Sequence, residues 1–151
     1  MSTSPTTSTR ARESSESAGF GQLFELGGRI LLAALFLFAG VSKIAGYGAT
    51  AAYMASMGVP SALLPLVIAT EVGGSLAIIA GWHTRAAAFL LAGFSVLAAA
   101  IFHNDFGNQM QLILFLSDVA VAGGLLTLAA NGAGPLSLDH RRGRGPALQR
   151  Q

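Results

Sequence analysis

Residues 59–85 read VPSALLPLVIATEVGGSLAIIAGWHTR, an apolar run long enough to cross a bilayer and broken near its middle by one carboxylate, Glu71. A hydrocarbon core about 30 Å thick is spanned by about 20 residues of helix. Glu71 lies about 11 residues past Pro60, or roughly 16 Å along a helix axis rising about 1.5 Å per residue, close to mid-depth. An ionisable group at that depth costs several kcal/mol unless it faces protein or water, so this helix must turn Glu71 inward. Gly74 and Ser75, three and four residues on, put small side chains on the same face, where a second helix can approach closely. The chain therefore has to fold as a bundle around this segment.

Three further apolar stretches supply the other helices. Only 11% of the residues are charged, against about 25% in soluble domains. In the first stretch, residues 23–45, the side chains Glu25, Arg29, Ala33, Phe36, Gly40 and Lys43 recur at three- and four-residue steps and share one face. Glu25 precedes Arg29 by four, a spacing that allows pairing. Arg29 reads as snorkelling to one headgroup layer, and Lys43 divides evenly between snorkelling to the other layer and an inward role. Residues 46–60 are too broken by glycine to span. They read as a short interfacial helix with Tyr53, Met54 and Met57 on one side, stopped by Gly58 and Pro60. A third span over 85–102 carries Arg85, Ala88, Ala92, Ala99 and His103 on one face. A fourth over 110–130 contains Asp118. The expected fold is all-α: a four-helix transmembrane bundle over residues 23–130, with an interfacial segment between helices 1 and 2.

The flanks have a different composition. Residues 1–22 begin Ser/Thr-rich and read as a disordered tail, and residues 131–151 read as a basic, disordered one. Glu13, Glu16 and the length of the following apolar run argue against a signal peptide. Four spans put both termini on one side of the membrane. That side holds all eight arginines, and the other holds only Lys43. The positive-inside rule then places both termini in the cytoplasm.

Several kinds of chemistry can be set aside. The basic tail lacks the interleaved aromatics of a nucleic-acid surface. The absence of cysteine removes disulfides, thiol exchange and thiolate-held clusters. His83 and His103 fall on opposite membrane faces, so they cannot clasp a haem between them. No His/Glu spacing suggests a metal site. Gly73–Gly74 and Gly123–Gly124 lie within apolar helices and read as packing glycines rather than phosphate loops.

What remains is a polar constellation of Glu71, Asp118, His103 and Lys43. Counted from the outer ends of their spans, Glu71 at about 11 residues and Asp118 at about 8 differ in depth by only a few Å. Lys43 and His103 sit above them. Two close carboxylates in low dielectric do not both ionise readily, so one is expected to hold a proton. Such a group can handle protons or hydrogen-bond the oxygens of a quinone. The competing reading is structural, with Glu71 and Asp118 bonded to Ser75, Ser117, Gln111 or backbone, and with His103 a plain loop residue beside Asn104 and Asp105.

These residues carry a resemblance. RILLAALFLFAGVSKIAGY (29–47), GVP (58–60), ATEVGGSLAIIAGWHTRAAA (69–88), IFHN (101–104) and FLSDVAVAGGLL (115–126), in that order, are similar to the DoxX family of small bacterial membrane proteins, including DoxD-like members. The resemblance implies a four-helix protein of the bacterial inner membrane. It also implies a link to quinone-dependent oxidoreduction and to oxidative-stress complexes. Phe38, Gly40, Lys43, Gly58, Pro60, Glu71, Gly81, Arg85, His103 and Gly123–Gly124 match its pattern. Ser117–Asp118 replaces the usual Lys-Asn pair, which makes Asp118 a departure from it. Two functions follow as expectations. One is a quinone-interacting subunit of a membrane oxidoreductase, with no redox centre of its own, so that an electron-transfer role needs a partner or a bound quinone. The other is a non-catalytic scaffold that docks soluble partners.

Overall fold

The computed structural model describes residues 6–143, with side chains over residues 19–141. Residues 1–5 and 144–151 lie outside it. Among the described residues six α-helices follow one another: α1 (Thr6–Ala45), α2 (Tyr47–Ser56), α3 (Leu64–Ala80), α4 (Thr84–Phe102), α5 (Gln109–Asn131) and α6 (Leu138–Gly143). A 3-10 turn at Ser61–Leu63 leads into α3. There is no strand among the described residues. Four of the described segments are long and apolar enough to cross a membrane: Gly19–Ala45, Ser61–Ala80, Thr84–Phe102 and Gln109–Asn131. They agree with the expected spans to within a few residues.

The boundaries have local causes. Gly58 (φ 76°) ends α2 and Gly81 (φ 68°) ends α3, each in the left-handed conformation that a side chain disfavours. After α2, Gly58 N–H bonds Ala55 O and Val59 N–H bonds Met54 O. After α3, Gly81 N–H bonds Ile78 O and Trp82 N–H bonds Ala77 O. This paired pattern satisfies the last carbonyls of a helix and turns the chain. Pro65 sits in the first turn of α3, where its missing N–H costs nothing. Asn108 opens α5, its side chain accepting from Met110 N–H and Gln111 N–H.

The bundle packs in the order α1–α3–α4–α5, with α4 on α5 and α1 on α3 as the two broad interfaces. α5 returns to α1 only lightly. The interior is made of small residues and a few large ones: Ala33, Phe36, Ile78, Ala88, Leu91, Ala92, Ala122 and Leu125. Larger side chains such as Leu31, Phe38, Phe89 and Leu116 face outward. This inversion suits a lipid solvent, in which close backbone packing rather than apolar burial holds helices together. The face expected on the first span is real: Arg29, Ala33, Phe36 and Gly40 are all buried. So is the small face of the third, with Ala88, Ala92 and Ala99 at its centre. α2 buries Met54 and leaves Tyr53 exposed, stacked on Phe102 at 5.6 Å.

The described parts of both flanks are helical or packed on the bundle, and residues 1–5 and 144–151 of the expected tails lie outside the described residues. From Thr6 the N-terminal flank continues α1. Once a span has nucleated, extending it through helix formers such as Arg10, Ala11, Arg12 and Glu13 is inexpensive. After Asn131 the chain folds back under the bundle instead of leaving it. Ser137 is buried, α6 follows, and the Asp139 N–H bonds Gly81 O at 2.8 Å. The anchor is Arg29, 3% exposed, so it does not snorkel. Its Nη1 donates to Ala133 O at 2.6 Å, and its Nη2 to Leu136 O at 2.8 Å and Ile79 O at 3.4 Å. Charge-assisted bonds of this kind offset the ordering entropy that composition alone leaves unmet.

Candidate functional site

Glu71 is turned inward, as its depth requires, and is 3% exposed. What it meets depends on Gly40. A Cβ at Gly40 would stand 2.7 Å from Val72 Cγ2 and 3.2 Å from Glu71 Cβ, so only glycine lets α1 lie this close to α3. Three residues further along α1, Lys43 reaches across, and its Nζ donates to Glu71 Oε1 at 2.8 Å. The other oxygen, Oε2, is buried with no hydrogen-bond partner. A buried carboxylate oxygen left unbonded costs about 1–3 kcal/mol or more.

A second acid–base pair joins α4 to α5. His103 Nε2 lies 3.8 Å from Asp118 Oδ2, and His103 Nδ1 lies 2.8 Å from Gln111 Oε1. With the amide oxygen of Gln111 as acceptor, Nδ1 carries a proton. A second proton, on Nε2, would face Asp118. Ser95 Oγ donates to Asp118 O at 3.0 Å, tying the two helices at that level.

The register of α3 on α4 relates the two pairs. Leu91 packs against Gly74. One turn nearer the loop end, Glu71 on α3 is level with Ser95 on α4, and Ser95 in turn touches Asp118. The carboxylates therefore lie at comparable depth, as counting from the span ends predicts. They do not form one dyad. Each is paired with its own base, and among the described residues no hydrogen bond joins Glu71 to Asp118. Because helix neighbours run α1–α3 and α4–α5, each carboxylate meets the base on its own partner helix. Lys43, His103 and Asp118 keep 27%, 25% and 31% side-chain exposure, so the group opens toward the surroundings of the bundle.

At the opposite end, Asp139 is a structural residue that sequence reasoning missed. Its two oxygens accept from His83 N–H at 2.8 Å and Thr84 N–H at 2.9 Å, capping α4 from 55 residues away. Burial works against its charge, but these bonds hold its carboxyl below the ordinary carboxylate range. Glu25 makes no bridge to Arg29 and rests against Gly134 instead. Among the described residues no group of three or more His, Asp or Glu converges as metal ligands would.

Four apolar helices with their termini at one end and two acid–base pairs toward the other define a small multi-pass membrane protein. The DoxX family profile matches residues 24–104, and the chain belongs to the DoxX family. It is 46% identical to the inner membrane protein YqjF of Escherichia coli (strain K12) over 111 residues, which cover 74% of this chain and 85% of YqjF. It is 35% identical to the inner membrane protein YphA of the same organism over 120 residues, covering 75% of this chain and 86% of YphA. Inner-membrane relatives together with four apolar helices support a multi-pass protein of the inner membrane. No solved structure matches the chain. Lys43, Glu71 and His103 fall within the family match, and Asp118 falls outside it.

Proposed function

We propose that the chain is a quinone-interacting subunit of a membrane oxidoreductase, with Lys43, Glu71, His103 and Asp118 around the quinone headgroup and both termini in the cytoplasm. The observation that carries this reading is Glu71: a carboxylate 3% exposed, one oxygen held by Lys43 and the other unbonded. Such an oxygen is an acceptor in waiting. The donor set also fits a quinone. Lys43 Nζ has protons beyond the one given to Glu71, and a protonated His103 Nε2 provides a second donor for a carbonyl oxygen. When the headgroup becomes a quinol, its hydroxyls need acceptors, which Glu71 Oε2 and Asp118 Oδ2 supply.

Reduction of a quinone takes two electrons and two protons. The electrons come from a redox centre in a partner subunit, and the protons pass through these side chains. The partly exposed Lys43, His103 and Asp118 suit a ligand that arrives from the lipid rather than from water. The orientation rests on all eight arginines falling toward the terminal end. The test is purification in mild detergent, followed by extraction and identification of the bound quinone and proteins. Stoichiometric quinone together with a redox subunit is the expected result. Soluble partners with no quinone would favour the scaffold reading instead.

A further inference from the structure

At the terminal end of the bundle, remote from Glu71, the loop after α5 borders a cleft of about 530 Å³. Arg85, in the first turn of α4, lines it together with His83 and His140. Among the described residues none of these three side chains has a hydrogen-bond or salt-bridge partner. Asp139 also lines the cleft, but both its oxygens are occupied by the His83 and Thr84 N–H groups. Glu25, which rests against Gly134, is not part of the wall.

The backbone points the same way. Arg29 draws the carbonyls of Ala133 and Leu136 toward itself. In a trans peptide the N–H points opposite to the C=O, so the N–H groups of Gly134 and Ser137 face away from the guanidinium. Both residues line the cleft, and neither N–H bonds a protein acceptor among the described residues. Gly134 holds φ 70°, a conformation that helps make an anion-receiving turn. Arg85, His83, His140, Gly134 and Ser137 thus line one cleft whose own carboxylate, Asp139, is already bonded, while the Glu25 carboxylate abuts Gly134 without lining the cleft.

We propose that this cleft binds a phosphate group, and that the phosphate belongs to the headgroup of an anionic phospholipid. This inference does not depend on the quinone reading. Arg85 supplies the charge and a forked donor geometry. The position selects the lipid over a soluble phosphate. The cleft lies where α4 begins and α5 ends, at headgroup depth beside the exposed Trp82. One turn further into the membrane on the same face of α4, Phe89 is 64% exposed and offers an apolar surface to an acyl chain.

The test uses the full chain in detergent and native mass spectrometry. Retention of phosphatidylglycerol is compared with that of diacylglycerol bearing the same acyl chains, and inorganic phosphate is titrated separately. Phosphatidylglycerol should be retained in preference to diacylglycerol, and Arg85→Gln should weaken that retention about tenfold, as loss of a charge-assisted bond does. Thermal stability should not change, since Arg85 is exposed and unpaired. His140→Gln provides an independent comparison should Arg85→Gln fold poorly. Equal retention by the wild type and by folded Arg85→Gln and His140→Gln would overturn the proposal. Phe89→Ala should weaken binding of the lipid and not of phosphate. Inorganic phosphate binding as tightly as the lipid, with Phe89→Ala silent, would keep the phosphate site and reject the lipid.

Discussion

Lys43 Nζ stands 2.8 Å from Glu71 Oε1 across the α1–α3 interface, a contact made because Gly40 brings the two helices together. Removing one member of such a pair leaves the other charge uncompensated, whereas removing both is far less costly. Glu71→Leu should therefore destabilise the protein by about 3 kcal/mol, read as a lower melting temperature in detergent. Adding Lys43→Met should recover much of the loss. Equal stability of the single and double variants would show that the pair is not coupled.

Gly40 itself predicts an overpacking defect. Its absent Cβ would stand 2.7 Å from Val72 Cγ2, and Val72 is β-branched and stiff at χ1. Gly40→Val should cost about 1–3 kcal/mol and should loosen the Lys43–Glu71 contact. Hydrogen exchange in α1 and α3 would rise if so, and unchanged protection would count against the close approach.

Arg29 predicts how the C-terminal segment is held. Its planar fork reaches three carbonyls on two segments, which the single ammonium of lysine cannot reproduce. Arg29→Lys should release residues 132–141 to protease while the four spans stay folded, at a loss of about 1.5–3 kcal/mol for each charge-assisted bond not remade. Intact protection of that segment would contradict the anchoring role.

Asp139 predicts an acid-sensitive cap. Its folded pKa lies below the ordinary value of 3.8, so its contribution is fully present above that value and is lost as pH falls through the lower, folded one. Asp139→Ala should cost about 1 kcal/mol at neutral pH, as loss of an N-cap does. It should also flatten the fall in stability below pH 4 that the wild type shows. An identical acid limb in both proteins would remove Asp139 from its origin.

The spans, their small-residue faces and the inward turn of Glu71 follow from periodicity and depth, because bilayer thickness fixes length and an ionised group cannot face lipid. The partners of the polar residues do not follow. Depth along a helix is a local property, so Glu71 and Asp118 could be set level from counting alone. Which helix neighbours which is not local, and it is the α1–α3 and α4–α5 adjacency that gives each carboxylate its own base. Gly40, three residues before Lys43, was the visible hint of a close approach. Arg29 shared a face with Ala33, Phe36 and Gly40, a sign of burial that the snorkelling rule masks. Asp139 had no local signal, since its cap lies 55 residues away.

On the proposed reading, Glu71 receives a quinone headgroup. The direct measurement is equilibrium binding of a short-chain quinone to the full protein in lipid nanodiscs, for the wild type and Glu71→Gln, with thermal stability recorded alongside. Glutamine retains an acceptor for Lys43 but loses the free carboxylate oxygen and cannot take up a proton there. Glu71→Gln should fold with a smaller stability loss than Glu71→Leu, since its amide oxygen still accepts from Lys43, and should bind the quinone about tenfold more weakly, the loss of one charge-assisted hydrogen bond. Equal affinity in a folded Glu71→Gln protein, or no saturable binding by the wild type, would contradict it.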